Sequence, residues 1–542
     1  NYITKYHTPR IVMSLEKSDT NLVSVASSTI SGTKPQINTR KELFHCLLIA
    51  LVGCTFGQDM GISPTYQFPS FKHNFKVHNT WINGIIVSIF NIGCATGGIV
   101  LSKLSDYYGR KFTICVACCI FLIGCMIQLI PSTHYGQIIA GRFITGLSVG
   151  TTAVVAPSFI TETVSDPKMR GSAVVFYQFC VVIGIIYGNI VTLITSRKYD
   201  LDFNFNNNQW RIPIGFGMIW GLIVLIGMIF VPESKTYYKQ KEQKIQNKKM
   251  SEEEKVKQQQ NNESHHWKET FIGEPRLGFR LLLGCCLMFF QQSSGINYFF
   301  YYGSVLFTSV GLNDSYETAV IFSLVNFVGT IAGVYFVSKA GRKIIFLCGC
   351  IGGFISMLIY ASLGSFALVD SNGAMSKSVG GCMIAFTCIF IICFAISLGP
   401  ITFVLVSELY PVRTKSLSMG IATNCNWLTN FLITLLTPTI TSKIGYKYGY
   451  VFAVCLGAAI LFTWFLVPET KGLSSEQIDE LFMSEKQKEE RALFNSSLNS
   501  KQINESNASG ENINYESSHD CSIDKDISPY VSNEKLETPN IA

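Results

Sequence analysis

Charge is scarce in this chain. Only 15% of its 542 residues are Asp, Glu, Lys or Arg, while 48% are hydrophobic and the mean hydropathy is +0.30. That balance excludes a soluble globular chain of ordinary composition. Histidine is scarce too, at 8 residues, mostly outside the apolar runs. No Ser/His/Asp set, metal cluster or phosphate loop stands out, so nothing supports an enzyme and no cofactor is expected. Cysteine is plentiful at 18 residues, all but Cys521 in apolar runs. Cys115-x-x-Cys118 has metal-like spacing but lacks a second pair or a nearby His, so no metal is expected and these thiols read as small hydrophobes. The polar stretch 1–42 lacks the form of a cleavable signal peptide, and none is expected.

What is present is a series of about twelve apolar runs, from 44–62 to 449–467, each long enough to cross a bilayer. Most charge lies in three polar stretches, which sets the expected organisation: a tail over 1–42, a six-helix bundle over 43–234, a linker over 235–278, a second bundle over 279–471 and a tail over 472–542. The fold class is therefore an all-α membrane protein with twelve transmembrane helices in two six-helix halves. Short strings recur about 235 residues apart, the mark of a duplicated unit: Gly109-Arg110-Lys111 with Gly341-Arg342-Lys343, and Pro232-Glu233-Ser234 with Pro468-Glu469-Thr470. A duplicated multi-span chain is most simply a transporter, since alternating access needs two bundles that rock around a central site.

The net charge of +7 is spread over short loops, so it reads as membrane topology and not as a nucleic-acid surface. Lys103, Arg110, Lys111, Lys168, Arg170, Lys339, Arg342, Lys343, Arg413 and Lys415 fall on one side. The positive-inside rule makes that side cytoplasmic, and an even number of spans makes both termini cytoplasmic. The linker run Lys239 to Lys257 reads as a surface helix or a disordered segment, and the tail past Leu481 reads as disordered. Asn313-Asp314-Ser315 is the better glycosylation acceptor, because it falls in an outside loop.

Several polar residues interrupt the apolar runs. Gln291, Gln292 and Asn297 lie within seven residues on one apolar helix. Amides in hydrocarbon need partners, and they offer the donors and acceptors that hydroxyl-rich sugars require; hydrogen bonding between helices is the alternative. Asp59 and Arg142 are intramembrane charges, functional candidates by default. Gly141, Gly146 and Gly150 place small residues on nearby helix faces, for close packing or for sliding.

Ordered motifs tie these residues together: Leu104-x-Asp106-x-x-Gly109-Arg110-Lys111, Gly141-Arg142-x-x-x-Gly146, Trp210-Arg211-Ile212-Pro213, Gln291-Gln292-x-Ser294-Gly295-x-Asn297, Asn426-Trp427-x-x-Asn430-Phe431, and the ending Pro468-Glu469-Thr470-Lys471-Gly472. Over roughly 42–482 the chain resembles the sugar porter family of the major facilitator superfamily, especially yeast-type hexose transporters. The resemblance implies a plasma-membrane carrier of a monosaccharide, a hexose such as glucose, with the lipid bilayer and the sugar as partners. It implies sugar contacts at Gln178, Gln291, Gln292, Asn297 and Asn326, with Trp427 as an aromatic neighbour and Phe403 at the family's frequent Trp. About six neutral hydrogen bonds would give roughly −6 kcal/mol, a dissociation constant of tens of micromolar at best. Proton-coupled members carry an Asp at Asp59 paired with the Arg at Arg142, as do some facilitative relatives, so protons as a second partner and a structural ion pair both stay open. Asp106, Arg110, Glu162, Arg170, Arg342, Glu408 and Lys415 are the implied cytoplasmic gate.

There are departures from the family pattern. Ser338 and Lys339 stand where the second-half motif usually has Asp and Arg, and Lys235 replaces a Pro. A sugar sensor on the same scaffold, with cytoplasmic regulators at the C-terminal tail, is the alternative function.

Overall fold

Inside a bilayer every backbone polar group must be satisfied within the segment, so apolar runs of this length fold as helices. The computed structural model describes residues 39–165, 167–199, 206–234, 237–238, 241–242, 268–308, 315–369, 376–411, 413–491 and 493. The linker's Lys-rich run, Asn313 and most of both tails lie outside the described residues. Among the described residues, 10 helical stretches are long and apolar enough to cross a membrane. One of them, Leu417–Leu466, is two helices turned about Gly445–Lys447. A further crossing is broken near its middle, so neither piece spans alone. The total is the expected twelve.

In chain order the first half consists of α1 (Arg40–Gln67), α2 (Thr80–Tyr108), α3 (Arg110–Leu129), α4 (Tyr135–Thr163), α5 (Pro167–Tyr199) and α6 (Asn208–Phe230). The second consists of α7 (Leu277–Gln292 and Ile296–Thr308), α8 (Ser315–Lys339), α9 (Arg342–Ala367), α10 (Lys377–Leu409), α11 (Lys415–Ile444) and α12 (Tyr448–Leu466). The described residues fall into two units, one ending at Leu481 and one beginning at Phe482, the latter helical over 485–491.

The break in α7 corrects the sequence reading, which placed Gln291, Gln292 and Asn297 on one continuous helix. Gly295 has φ +91°, a conformation glycine adopts without penalty, and the chain turns there before resuming as a helix. The first piece ends in the two glutamines, and Asn297 opens the second.

Glycine also sets how closely α2 and α4 pack. A Cβ on Gly146 would stand 3.0 Å from the Gly93 Cα, and one on Gly150 would fall into the Cys94 backbone. The α4 glycines thus allow close contact between helices of one half. Gly150→Ala should force these helices apart and cost about 1–3 kcal/mol. Gly136→Ala, where nothing lies within 4 Å, is the control. Thermal melts of the detergent-solubilised protein check this; equal midpoints for the two variants would remove the packing role.

The halves meet along the bundle, through Phe56 with Trp427 and Phe179 with Phe327, and at one end of it through a buried aromatic cluster. Phe68, just past α1, packs on Tyr316 of α8 with ring centroids 5.0 Å apart. Tyr301 and Tyr302 of α7 join a buried cluster with Phe71, Phe75 and Trp210 of the first half. The Gly-Arg-Lys loops, with Asp106, Glu162 and Glu408, lie at the opposite end, here called the charged end.

Candidate functional site

Midway along the bundle, the break in α7 brings four amides together. Gln292 Nε2 donates to Asn426 Oδ1 at 2.8 Å, and Asn297 Nδ2 donates to Gln292 Oε1 at 2.6 Å. Gln291 is held more tightly. Its Nε2 donates to the carbonyls of Leu398 (3.3 Å) and Gly399 (3.2 Å) on α10, and its Oε1 accepts from Asn426 Nδ2 at 2.5 Å. Gln291, Asn297 and Asn426 are buried, while Gln292 is half-buried. Trp427, next to Asn426, meets Phe56 of α1 edge-on at 5.6 Å, so aromatic surface from both halves lines the same region.

The other expected sugar contacts are placed differently. Gln178 is exposed, yet it shares a face of α5 with Ile185 and Asn189, which are buried. At about 1.5 Å per residue it lies some two turns nearer the charged end than Ile185. One residue on, Phe179 meets Phe327 of α8 with ring centroids 5.5 Å apart, so the halves also touch beside it. Asn326 of α8 is buried, and its carbonyl accepts from Thr330 at 2.8 Å. Phe403 is exposed on α10, four residues beyond Gly399.

Asp59 and Arg142 do meet. Arg142 Nη2 lies 3.3 Å from Asp59 Oδ2, with side-chain exposures of 1% and 4%. The guanidinium also stacks over Tyr66 at 4.5 Å and Phe90 at 5.3 Å, and Nη2 donates to the Val87 carbonyl at 3.2 Å. The Tyr66 hydroxyl is fixed by Gln128 Oε1 at 2.8 Å. The arginine is thus held by two ring faces as well as by the carboxylate.

At the charged end, one arrangement is built twice. In the first half Arg110 lies 3.1 Å from Glu162 and 3.3 Å from Asp106, and Ser234 donates its hydroxyl to Glu162. Glu233 accepts from the backbone N–H of Arg110 at 2.9 Å and of Lys111 at 3.1 Å. Gly109, at φ +103°, opens the way for that carboxylate. In the second half Arg342 lies 3.4 Å from Glu408, and Thr470 donates to Glu408 at 2.6 Å. Glu469 accepts from the N–H of Arg342 at 2.8 Å and of Lys343 at 3.2 Å. A carboxylate at the start of α3 or α9 also complements the positive end of the helix dipole. The pairs Arg110–Glu162 and Arg342–Glu408 each lie within one half. Lys415 is exposed at the start of α11. The side chains of Arg170 and Ser338 lie outside the described residues.

Several participants escaped the sequence reading. Asn426 stood in a quoted motif beside Trp427 but was not assigned to the site. Glu233 and Glu469 were seen as repeat markers, not as caps. Arg280 was missed, although a charge inside an apolar run is a signal. It is buried and pairs with Asp479 at 2.6 Å while donating to the Leu409 carbonyl at 2.6 Å. Among the described residues no group of three or more His, Cys, Asp or Glu could hold a metal ion.

Comparison with known proteins bears on this arrangement. The family model described as Sugar (and other) transporter matches residues 45–482. Hexose transporter HXT14 of Saccharomyces cerevisiae is 39% identical over 81% of this chain and 88% of its own length. Hexose transporter 2 of Kluyveromyces lactis is 38% identical over 81% and 82%. These relatives are named as transporters and lend no support to the sensor alternative. Among solved structures, the xylose transporter XylE of E. coli in a partially occluded inward-open conformation superposes with a TM-score of 0.64 at 22% identity, covering 80% of this chain and 100% of that one. At that identity the likeness is one of fold.

Proposed function

We propose a function from one premise: this chain belongs to the sugar transporter family. It is a multi-pass membrane protein and not an enzyme, and it carries a monosaccharide, a hexose such as glucose, across the plasma membrane by alternating access. The observation that supports this reading best is the amide cluster of Gln291, Gln292, Asn297 and Asn426 at the break in α7, beside Trp427. Discontinuous helices at the membrane midplane are where carriers of this kind place their substrates. Gln178 and Asn326 would complete the hydroxyl-reading set, with Phe403 towards the charged end. The charged end is cytoplasmic by its excess of Lys and Arg, as are both termini. Asp106, Arg110, Glu162, Arg170, Arg342, Glu408 and Lys415 form the cytoplasmic gate in this reading. Uptake of labelled D-glucose by cells lacking their own hexose carriers tests the function; no uptake of any hexose at normal surface levels would reject it.

The Asp59–Arg142 pair admits facilitative or proton-coupled carriage. Asp59→Asn should keep exchange of labelled for unlabelled D-glucose, because the amide still fits against Arg142. It should lose any accumulation that a proton uncoupler collapses. If the wild type never concentrates sugar beyond equilibrium, the proton role is excluded and the pair is structural. Regulators of the carrier would be sought on the tail past residue 493, outside the described residues.

A further inference from the structure

On the side of the amide cluster remote from the charged end, two buried neutral hydrogen bonds cross between the halves, and beyond them the exposed pair Arg197–Glu317 joins the same α5 and α8. Asn189 of α5 donates through Nδ2 to Ser323 Oγ of α8 at 2.8 Å. Asn430 of α11 donates through Nδ2 to Asn91 Oδ1 of α2 at 3.1 Å. All four residues are buried. The repeat relates the two bonds: each joins the fifth helix of one half to the second helix of the other. At the charged end, by contrast, Arg110–Glu162 and Arg342–Glu408 run within a half, and Gln178 is exposed on the inward face of α5.

We infer that Asn189 with Ser323, flanked by Asn91 with Asn430, is a latch that holds the far end shut while the charged end is open, and so sets the balance between the two states. The inference rests on the alternating-access reading. A buried amide without a partner is costly, so the far end opens only when water can replace these bonds. Arg197–Glu317 is about half exposed, so solvent screens it and the buried neutral bonds carry the contact. Ser323 is prepared for its part: its hydroxyl donates to the Ala319 carbonyl at 2.8 Å, which leaves its lone pairs facing Asn189.

The latch also adjoins the sugar-reading groups. Ser323 is one turn before Asn326. On α11, Asn426, Asn430 and Thr434 repeat every four residues along one face. Thr434 donates to Asn430 Oδ1 at 3.0 Å, and Asn426 bonds both Gln291 and Gln292. One helix face therefore runs from the substrate amides to the latch, which makes these four residues positioning residues for carriage.

Hydrogen–deuterium exchange of the full chain in nanodiscs tests this. Losing one such bond shifts a two-state balance about fivefold. Ser323→Ala should quicken exchange about that much at the far end, in segments 62–68, 296–303 and 430–437. It should slow exchange at the charged end, in segments 104–111 and 339–343, because one end closes as the other opens. Ser323→Thr should restore the parent pattern. Asn189→Leu should reproduce the effect, and the double variant should add nothing to either single one. Faster exchange at both ends means simple loosening and overturns the latch, as does an unchanged pattern. The sugar reading is judged separately by wild-type D-glucose uptake: reciprocal exchange in a chain without uptake keeps the latch and rejects carriage.

Discussion

Arg142→Leu should remove most of the protein from the membrane, whereas Asp59→Asn should leave most of it in place. The two partners are not equally replaceable. Without the arginine, Asp59 is a carboxylate with a side-chain exposure of 4% that has lost its cation. Breaking a buried pair from one side typically costs about 3–5 kcal/mol, a large part of a total stability of about 5–15 kcal/mol. Without the carboxylate, Arg142 still faces the rings of Tyr66 and Phe90 and still donates to the Val87 carbonyl. Desolvated cation–π contacts are worth up to about 2 kcal/mol, so the cation keeps much of its support. The double variant Asp59→Leu/Arg142→Leu should recover part of the loss, because no charge is then left buried. Membrane abundance and the melting midpoint in detergent are the measurements. Equal abundance for Arg142→Leu and the wild type would show that the pair contributes little to stability.

Much of this architecture was legible before any coordinates, for a physical reason. Hydropathy alone decides which segments cross a bilayer, and a duplicated chain writes its strings twice. Asp59 and Arg142 stood out as intramembrane charges, but their pairing was implied by the family resemblance, as was the charged set that contains Arg110 and Glu162. The break in α7 was harder. Gly295 was in view, but a glycine within a long apolar run does not by itself say whether the helix bends, packs or stops. The caps at Gly109 and Gly341 depend on Glu233 and Glu469 returning from 122 or more residues away, a tertiary fact with no local signal. The exposure of Gln178 and the bond from Asn189 to Ser323 depend on how the halves meet, which no periodicity within one helix encodes. Asn426 was overlooked because an amide next to a tryptophan gives no hint of which one faces the partner helix.

The contrast between the two adjacent glutamines yields the second large effect. Gln292→Ala should raise the half-saturation concentration for D-glucose about 5–30-fold, the equivalent of about 1–2 kcal/mol, with normal amounts of protein at the surface. Gln291→Ala should instead lower the amount of protein. Gln291 is buried, and its amide is spent on the Leu398 and Gly399 carbonyls and on Asn426. Those bonds tie the end of the first α7 piece to α10 and α11, so their loss leaves backbone and side-chain groups unpaired in the core. Gln292 is half-buried, and its two bonds go only to the side chains of Asn297 and Asn426. A sugar hydroxyl that both donates and accepts can replace either partner at little cost, which is what a weakly binding, readily releasing site needs. When the Gln292 amide is removed, Asn297 and Asn426 can be satisfied by water at this half-buried position, so folding suffers less than binding. Uptake kinetics paired with surface quantification separate the two residues. An unchanged half-saturation in Gln292→Ala would remove that residue from the site, and equal losses of protein in both variants would show that the cluster is structural.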